Sequence, residues 1–140
     1  MPANTSPIYT RLGDVQWGAS ASTANNTADM TSGTITLVYT ADTTNGGYIQ
    51  KLRFKPLPGA NSSATVARVW INNGGDTTTA ANNTLYDEVS LGATSVSTTS
   101  ALQVYELPMN FAMSPGHRIY VTLSAAAAGG YHITAIGGKY

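Results

Sequence analysis

The residue types that most often carry chemistry are few in this sequence, and their spacing does not suit catalysis. Neither His117 nor His132 belongs to a pair with metal-ligand spacing or to a motif such as Gly-x-Ser-x-Gly. Asp87 and Glu88 are adjacent, so on a strand their carboxylates would point to opposite faces and could not cooperate as acid and base. The Asn- and Gly-rich segment before Asp76 lacks the further carboxylates of a calcium loop. The sequence therefore predicts no catalytic residue, no metal site and no cofactor, and a protein that is not an enzyme.

Binding is the chemistry that the remaining candidate residues favour. Lys51, Arg53 and Lys55 occupy alternate positions of one predicted strand and so share one face of it. Such a row of cations can contact an acidic surface or a phosphate backbone, or it can simply be solvated. Trp17 and Trp70 can anchor a protein interface or stack on a sugar, or they can fill the core.

Composition restricts the partners that such residues could bind. Charged residues make up 10% of the 140 residues, with seven basic and seven acidic side chains and a formal net charge of +0. This balance gives no strong field to attract nucleic acid. No stretch approaches the about 18 apolar residues that a membrane-spanning helix needs, and cysteine is absent, which excludes thiolate chemistry. A surface poor in charge and rich in Thr, Ser, Asn and Ala favours assembly with other proteins.

The elements that must position these residues are β-strands. Short runs of β-branched and aromatic residues alternate with polar residues and are separated by clusters of Gly, Asn, Asp, Ser and Thr. This pattern predicts one all-β domain over residues 13–140, an eight-stranded antiparallel, jelly-roll-like sandwich, with an immunoglobulin-like sandwich as the alternative. Residues 1–12 are predicted to form an extended N-terminal arm, because Pro2 and Pro7 disfavour helix. The predicted strands are 14–19, 33–41, 48–55, 64–72, 85–91, 101–107, 118–123 and 131–136.

The alternation within each strand also predicts which side chains are buried. On the third strand, Ile49 is predicted to lie on the face opposite the core, with the three cations. On the fourth strand, Arg68 and Trp70 are predicted to point outward or toward a neighbour. The apolar side chains at alternating positions, which are predicted to form the core, are Ile35, Leu37, Tyr39, Tyr48, Leu52, Phe54, Ala67, Val69, Ile71, Leu85, Val89, Leu91, Leu102, Val104, Ile119, Val121 and Leu123.

Several segments spread over nearly the whole chain resemble small structural proteins of tailed bacteriophages. The opening segment is IYTRLGDVQWG, at residues 8–18, and the ending combines PGHRIYV, at 115–121, with AIGGKY, at 135–140. The segments between them are WINNG at 70–74, NNTLY at 82–86 and LPMNFA at 107–112.

The resemblance implies a virion component: a head decoration or cement protein of jelly-roll type that sits as a trimer on the assembled shell. Its implied partners are the major capsid protein and other copies of itself, and its location is the capsid surface, with the host cytoplasm during assembly. The resemblance brings no catalytic residues to this chain. The alternative function is a receptor- or glycan-binding module of a head fibre or tail, with Trp70 as part of a stacking platform. The candidate interface residues are Ile8, Tyr9, Trp17, Lys51, Arg53, Lys55, Arg68 and Trp70.

Overall fold

The structure, a computed structural model, describes residues 10–140, without the side chains of Ala19 and Ser20. It is all-β, as predicted, and within this range the only helical segment is a 3₁₀ turn at Ala80–Asn82. The strands are β1 (Leu12–Ala21), β2 (Thr36–Thr40), β3 (Gly47–Pro56), β4 (Thr65–Asn72), β5 (Asn83–Leu91), β6 (Tyr105–Met113), β7 (Arg118–Leu123) and β8 (Tyr131–Lys139).

The strands form two four-stranded antiparallel sheets. The first sheet has the order β1-β8-β3-β6 and the second has the order β2-β7-β4-β5. The first strand of the chain thus pairs with the last, the second with the seventh, the third with the sixth and the fourth with the fifth. This nested pairing is that of a jelly roll, and it confirms the predicted fold over the immunoglobulin-like alternative.

The core lies between the two sheets and consists mainly of side chains at alternate strand positions. Ala67 and Val69 of β4, Ile119, Val121 and Leu123 of β7, and Leu52 and Phe54 of β3 are at most 1% exposed. These residues were predicted to be buried, because period-two alternation matches the pleat of a strand with one buried face. Ile71 is partly buried and packs against the same cluster.

Bulges in two strands change which face a side chain occupies. A register shift in β2 leaves Leu37 45% exposed while Val38 and Tyr39 are both buried. A second shift lies between Ile49 and Lys51 of β3. It buries Ile49 completely and leaves Tyr48 only partly buried. The predicted burial of Leu37 was therefore wrong, and the predicted faces of Tyr48 and Ile49 were reversed, because one extra residue shifts the alternation by one.

The sixth strand lies further along the chain than predicted. It begins at Tyr105, so Leu102 and Val104 precede it and are only partly buried. The predicted strand ends at Leu107, directly before Pro108, which cannot donate a ladder hydrogen bond. Strand β6 tolerates Pro108 because it is an edge strand of its sheet.

One side of the sandwich is closed by side-chain bonds between the sheets. The amide of Gln16 donates from Nε2 to the Thr40 carbonyl oxygen at 2.8 Å and accepts from the Thr40 backbone N–H at 2.9 Å. Gly18 permits this close approach of β1 to β2, because a Cβ there would lie 2.7 Å from the Leu37 carbonyl oxygen. On the opposite side, β5 and β6 do not pack closely, and the rings of Tyr86 and Phe111 meet with centroids 5.2 Å apart.

The first described strand begins near residue 13, the predicted boundary between arm and domain, which stays a prediction. Strand β1 begins at Leu12, and the Arg11 backbone N–H donates to the Lys139 carbonyl oxygen at 2.8 Å. Residues 1–9 of the predicted arm, which include Ile8 and Tyr9, lie outside the described residues.

Two buried tyrosines have hydroxyl groups without a hydrogen-bond partner among the described residues, Tyr39 and Tyr131. Burial, followed by the negative charge of Asp14, raises the pKa of Tyr39 above its ordinary value of 10.0. Burial also raises the pKa of Tyr131. Each hydroxyl is therefore held in its neutral form in the folded protein.

We expect Tyr39→Phe to leave the free energy of unfolding at neutral pH within about 1 kcal/mol of wild type, because the lost hydroxyl makes no bond. Above pH 10.0 the unfolded chain releases the tyrosine proton more readily than the folded chain, so the wild type loses stability as the pH rises. Tyr39→Phe should lose less stability than the wild type over the same rise in pH. Denaturant melts at neutral and alkaline pH measure both effects, and an equal alkaline loss in the two proteins would contradict this assignment.

Candidate protein-binding surfaces

The outer face of the first sheet brings four of the predicted interface residues together. In register, Trp17 of β1 lies opposite Thr134 of β8, which lies opposite Arg53 of β3. Lys51 and Lys55 follow in the neighbouring rows, opposite Ile136 and His132. We call the surface formed by Trp17, Lys51, Arg53 and Lys55 the basic face.

Local sequence explains why these side chains point outward. Leu52 and Phe54 are fully buried, so the alternating Lys51, Arg53 and Lys55 must face away from the core. In β1, Gln16 is bonded to the edge of the second sheet, which turns its neighbour Trp17 to the outside. The predicted outward orientation of the three cations is confirmed.

The cations of the basic face differ in how they are neutralised. Lys51 Nζ donates to both carboxylate oxygens of Glu106, each at 3.1 Å. Lys55 Nζ donates to the Leu102 carbonyl oxygen at 2.9 Å. Arg53 forms no ion pair with any residue of the described chain, although it lies in register with Glu106. Its guanidinium is exposed and remains open to a partner.

Apolar surface adjoins the cations at the β1 side of the face. Trp17 is 67% exposed, the largest fraction among the exposed large hydrophobic residues of the described chain. Val15, on the same face of β1, is 53% exposed. Two strand spacings place Trp17 and Arg53 about 10 Å apart across the sheet, so an indole and a guanidinium can contact one partner together.

A second surface, of opposite charge, lies on the edge strand β5. Leu85 is 45% exposed and Tyr86 is 41% exposed, and Asp87 and Glu88 follow them directly and are also exposed. Arg68 neutralises Glu88, with its Nε 3.0 Å from Glu88 Oε1. Leu85 and Glu88 lie opposite Trp70 and Arg68 and face out of the sandwich, whereas Asp87 lies opposite Val69 and faces its open side, where the Tyr86 ring packs with Phe111. We call this strand segment, from Leu85 to Glu88, the acidic edge.

Asp87 has no cationic partner within the part of the chain that the structure describes. Its carboxylate instead accepts the Glu88 backbone N–H at 2.7 Å. The sequence indicated Asp87 and Glu88 only as an unsuitable catalytic pair. Their exposed position beside two apolar residues was not predicted, and the signal for it was the apolar pair Leu85 and Tyr86 directly before them.

Trp70 and Arg68 lie on the outer face of the second sheet, away from the basic face. Trp70 does point out of the sandwich, as predicted, but it is only 2% exposed because it packs with Met30, Tyr120 and Ile35 of its own chain. Its indole N–H donates to Thr122 Oγ1 at 3.0 Å. The prediction of Trp70 as an interface residue and sugar platform is therefore wrong, since its own chain covers the ring.

The cover over Trp70 is the connection between β1 and β2, which one buried asparagine organises. The Asn25 amide donates to the carbonyl oxygens of Ser32 and Thr34 at 2.8 and 2.9 Å, and its oxygen accepts the Thr27 backbone N–H at 3.1 Å. These bonds hold Met30 against the indole ring of Trp70, and the Met30 backbone is left-handed, with a φ of 60°. The alternation of residues along a strand cannot predict that Trp70 is covered, because the covering residues belong to a loop.

The remaining polar groups form small local networks. The Asp76 carboxylate accepts the Thr78 backbone N–H at 3.0 Å, which lowers the pKa of Asp76. His117 lines a shallow groove with Asn82 and Asn83 at the end of the sandwich. Across residues 10–140, histidine and carboxylate side chains nowhere gather in groups of three or more that could hold a metal ion. No helix in this range is long and apolar enough to cross a membrane.

No protein-family model, curated protein or solved structure matches this chain.

Proposed function

We propose that this chain is a bacteriophage capsid decoration protein, which binds the assembled head shell and stabilises it by non-covalent contacts without catalysing a reaction. The jelly-roll topology supports this proposal, because viral capsid domains use this architecture. Since a fold can host many functions, the argument for this one depends on the surfaces. The resemblance of the chain to small structural proteins of tailed phages supports the same function.

The observation that carries the proposal is the exposure of Trp17 beside the cations of the basic face. An indole that is 67% exposed leaves a large apolar area in water, and tryptophan and arginine are the residues most enriched at binding hot spots. The face consists of side chains on three paired strands of one sheet, and its mixture of apolar and cationic groups is suited to a protein surface. We propose that acidic and apolar groups of protein neighbours on the shell cover it.

Stabilisation of the shell follows from mass action. A protein that binds the assembled shell but not its free subunits lowers the free energy of the assembled form. Each contact can be modest, because the symmetry of the shell repeats it many times. Such a protein needs rigid surfaces rather than reactive groups, and a sandwich with a continuous core provides them.

Trp17→Ala is the sharpest test of the proposed function. We expect its affinity for undecorated head shells to fall at least about tenfold, since truncating an interface tryptophan removes about 2 kcal/mol or more. Wild type and variant are mixed with shells, and bound copies are counted after sedimentation. Leu37→Ala is the matched control, because Leu37 is an exposed apolar residue on the second sheet.

Two outcomes would contradict the proposal. Shells that bind no wild-type protein over a full titration would reject the decoration function. Equal occupancy by wild type and Trp17→Ala would reject the basic face as the surface involved.

A glycan-binding module of a head fibre or tail is the second candidate function, and the exposure of Trp17 favours it too. A sugar ring could stack on the indole while Arg53 and Thr134 bind its hydroxyls, which moves the platform from Trp70 to Trp17. A glycan array separates the two functions. Binding of a defined sugar that is lost in Trp17→Ala, without binding to shells, would favour this candidate.

A further inference from the structure

We infer that the basic face of one copy binds the acidic edge of a second copy, so that the chain associates with itself head to tail. This inference rests on the proposed function in one respect, namely that both surfaces serve assembly. It goes further by naming the two surfaces through which copies of the chain meet. The occupant follows from charge, from apolar surface and from the position of the two surfaces in the fold.

Charge complementarity is the first argument. The chain has a formal net charge of +0, but three of its seven basic residues lie on one strand of the basic face. Among the described residues, Arg53 on this face and Asp87 on the acidic edge are exposed and form no ion pair within their own chain. Contact between copies would bring these two opposite charges together, and each would neutralise the other.

Apolar surface is the second argument. Each of the two surfaces carries an exposed aromatic residue, Trp17 at 67% and Tyr86 at 41%, with an exposed aliphatic neighbour, Val15 or Leu85. Exposed ion pairs contribute little by themselves, whereas desolvated aromatic residues dominate interface energies. Burial of Trp17 and Tyr86 between copies therefore provides most of the affinity, and the charges determine which surfaces meet.

The positions of the surfaces determine the kind of contact. Trp17 lies on β1 at one edge of the first sheet, whereas Tyr86 and Asp87 lie on β5, on the opposite side of the sandwich. Different surfaces that bind each other form a heterologous contact, which gives a ring when the rotation closes. Direct pairing of β5 with β5 of another copy is disfavoured, because it would place acidic residues close together.

Charge reversal of single residues tests the inference without any shell. In sedimentation velocity from about 1 to 100 µM, the micromolar range in which modest interfaces form, we expect the wild type to reach one discrete oligomer. Arg53→Glu and Asp87→Arg should each weaken this association at least about tenfold, since each places like charges opposite one another. The double variant with both changes should recover most of the association, because the pair is restored with reversed sign.

An equimolar mixture of Arg53→Glu and Asp87→Arg gives an independent readout. Each variant should bind the other more tightly than it binds itself, because both contacts between unlike copies then join opposite charges, whereas each contact between like copies joins like charges. Arg118→Glu is the matched control for Arg53→Glu, since Arg118 belongs to neither surface and the two substitutions change the net charge equally. Circular dichroism and thermal melting verify that each variant is folded.

The results distinguish this inference from the proposed function. A wild type that remains monomeric at the highest concentration, or a double variant no better than the single ones, would overturn the head-to-tail contact even if shells still bind the protein. Shells that bind nothing, together with rescue in the double variant, would reject decoration and support the self-association.

Discussion

Replacement of Trp70 by alanine is expected to lower the free energy of unfolding by about 3 to 5 kcal/mol, the range for truncation of a buried tryptophan. The ring is 2% exposed and packs with Met30 and Tyr120 under the connection between β1 and β2. Its loss leaves a cavity, removes the bond from the indole N–H to Thr122 and takes away the surface on which Met30 rests. Urea or guanidinium melts measure the change.

The other tryptophan provides the control for this experiment. Trp17 is 67% exposed, so Trp17→Ala should change the free energy of unfolding by less than about 0.5 kcal/mol, as most surface substitutions do. We therefore expect truncation of Trp70 to reduce stability and truncation of Trp17 to reduce binding. A Trp70→Ala protein as stable as the wild type would show that the cover over the second sheet is not formed in solution.

Val69→Ala and Val121→Ala are each expected to lower the free energy of unfolding by about 2 to 4 kcal/mol, because truncating buried aliphatic side chains leaves cavities. Val69 is 0% exposed and Val121 is 1% exposed, and they are direct partners across β4 and β7, at the centre of the second sheet. Because they share neighbours, the double variant should not show the sum of the two losses. Denaturant melts of the three proteins measure both the losses and their coupling.

Leu37→Ala is the control for the two valines. Sequence alternation places Leu37 in the core with Tyr39, but the bulge in β2 leaves it 45% exposed. We therefore expect its truncation to be the mildest of the three, although more atoms are removed than at either valine. A loss at Leu37 equal to that at Val69 would mean that the bulge is absent in solution and that the simple alternation holds.

Sequence pattern was sufficient for the fold class and for the strands that follow a regular alternation. Strand β7 matches the predicted residues 118–123, and its side chains Ile119, Val121 and Leu123 are buried as expected. The pairing of β7 with β4 contains no register shift. Where the pleat is undisturbed, position along the chain alone decides the face, because successive side chains must point in opposite directions.

The candidate surfaces were only partly accessible to this reasoning. That Lys51, Arg53 and Lys55 share a face follows from the period of a strand. The sequence did not show that Trp17 lies on the same face. Strand β1 is separated from β3 by β8, which comes from the far end of the chain. The acidic edge depends on β5 being the last strand of its sheet, which is a property of the strand order and not of the residues themselves.

The sequence by itself determined that this chain is an all-β sandwich, with most of its core on alternate positions and three cations on one face. Only the tertiary structure decided that Trp70 is buried and Trp17 exposed, although both point out of the sandwich. The reason is physical: alternation specifies the side of a sheet toward which a residue points, whereas exposure depends on what else covers that side. A loop held by Asn25 covers Trp70, and nothing within the described residues covers Trp17 to the same extent.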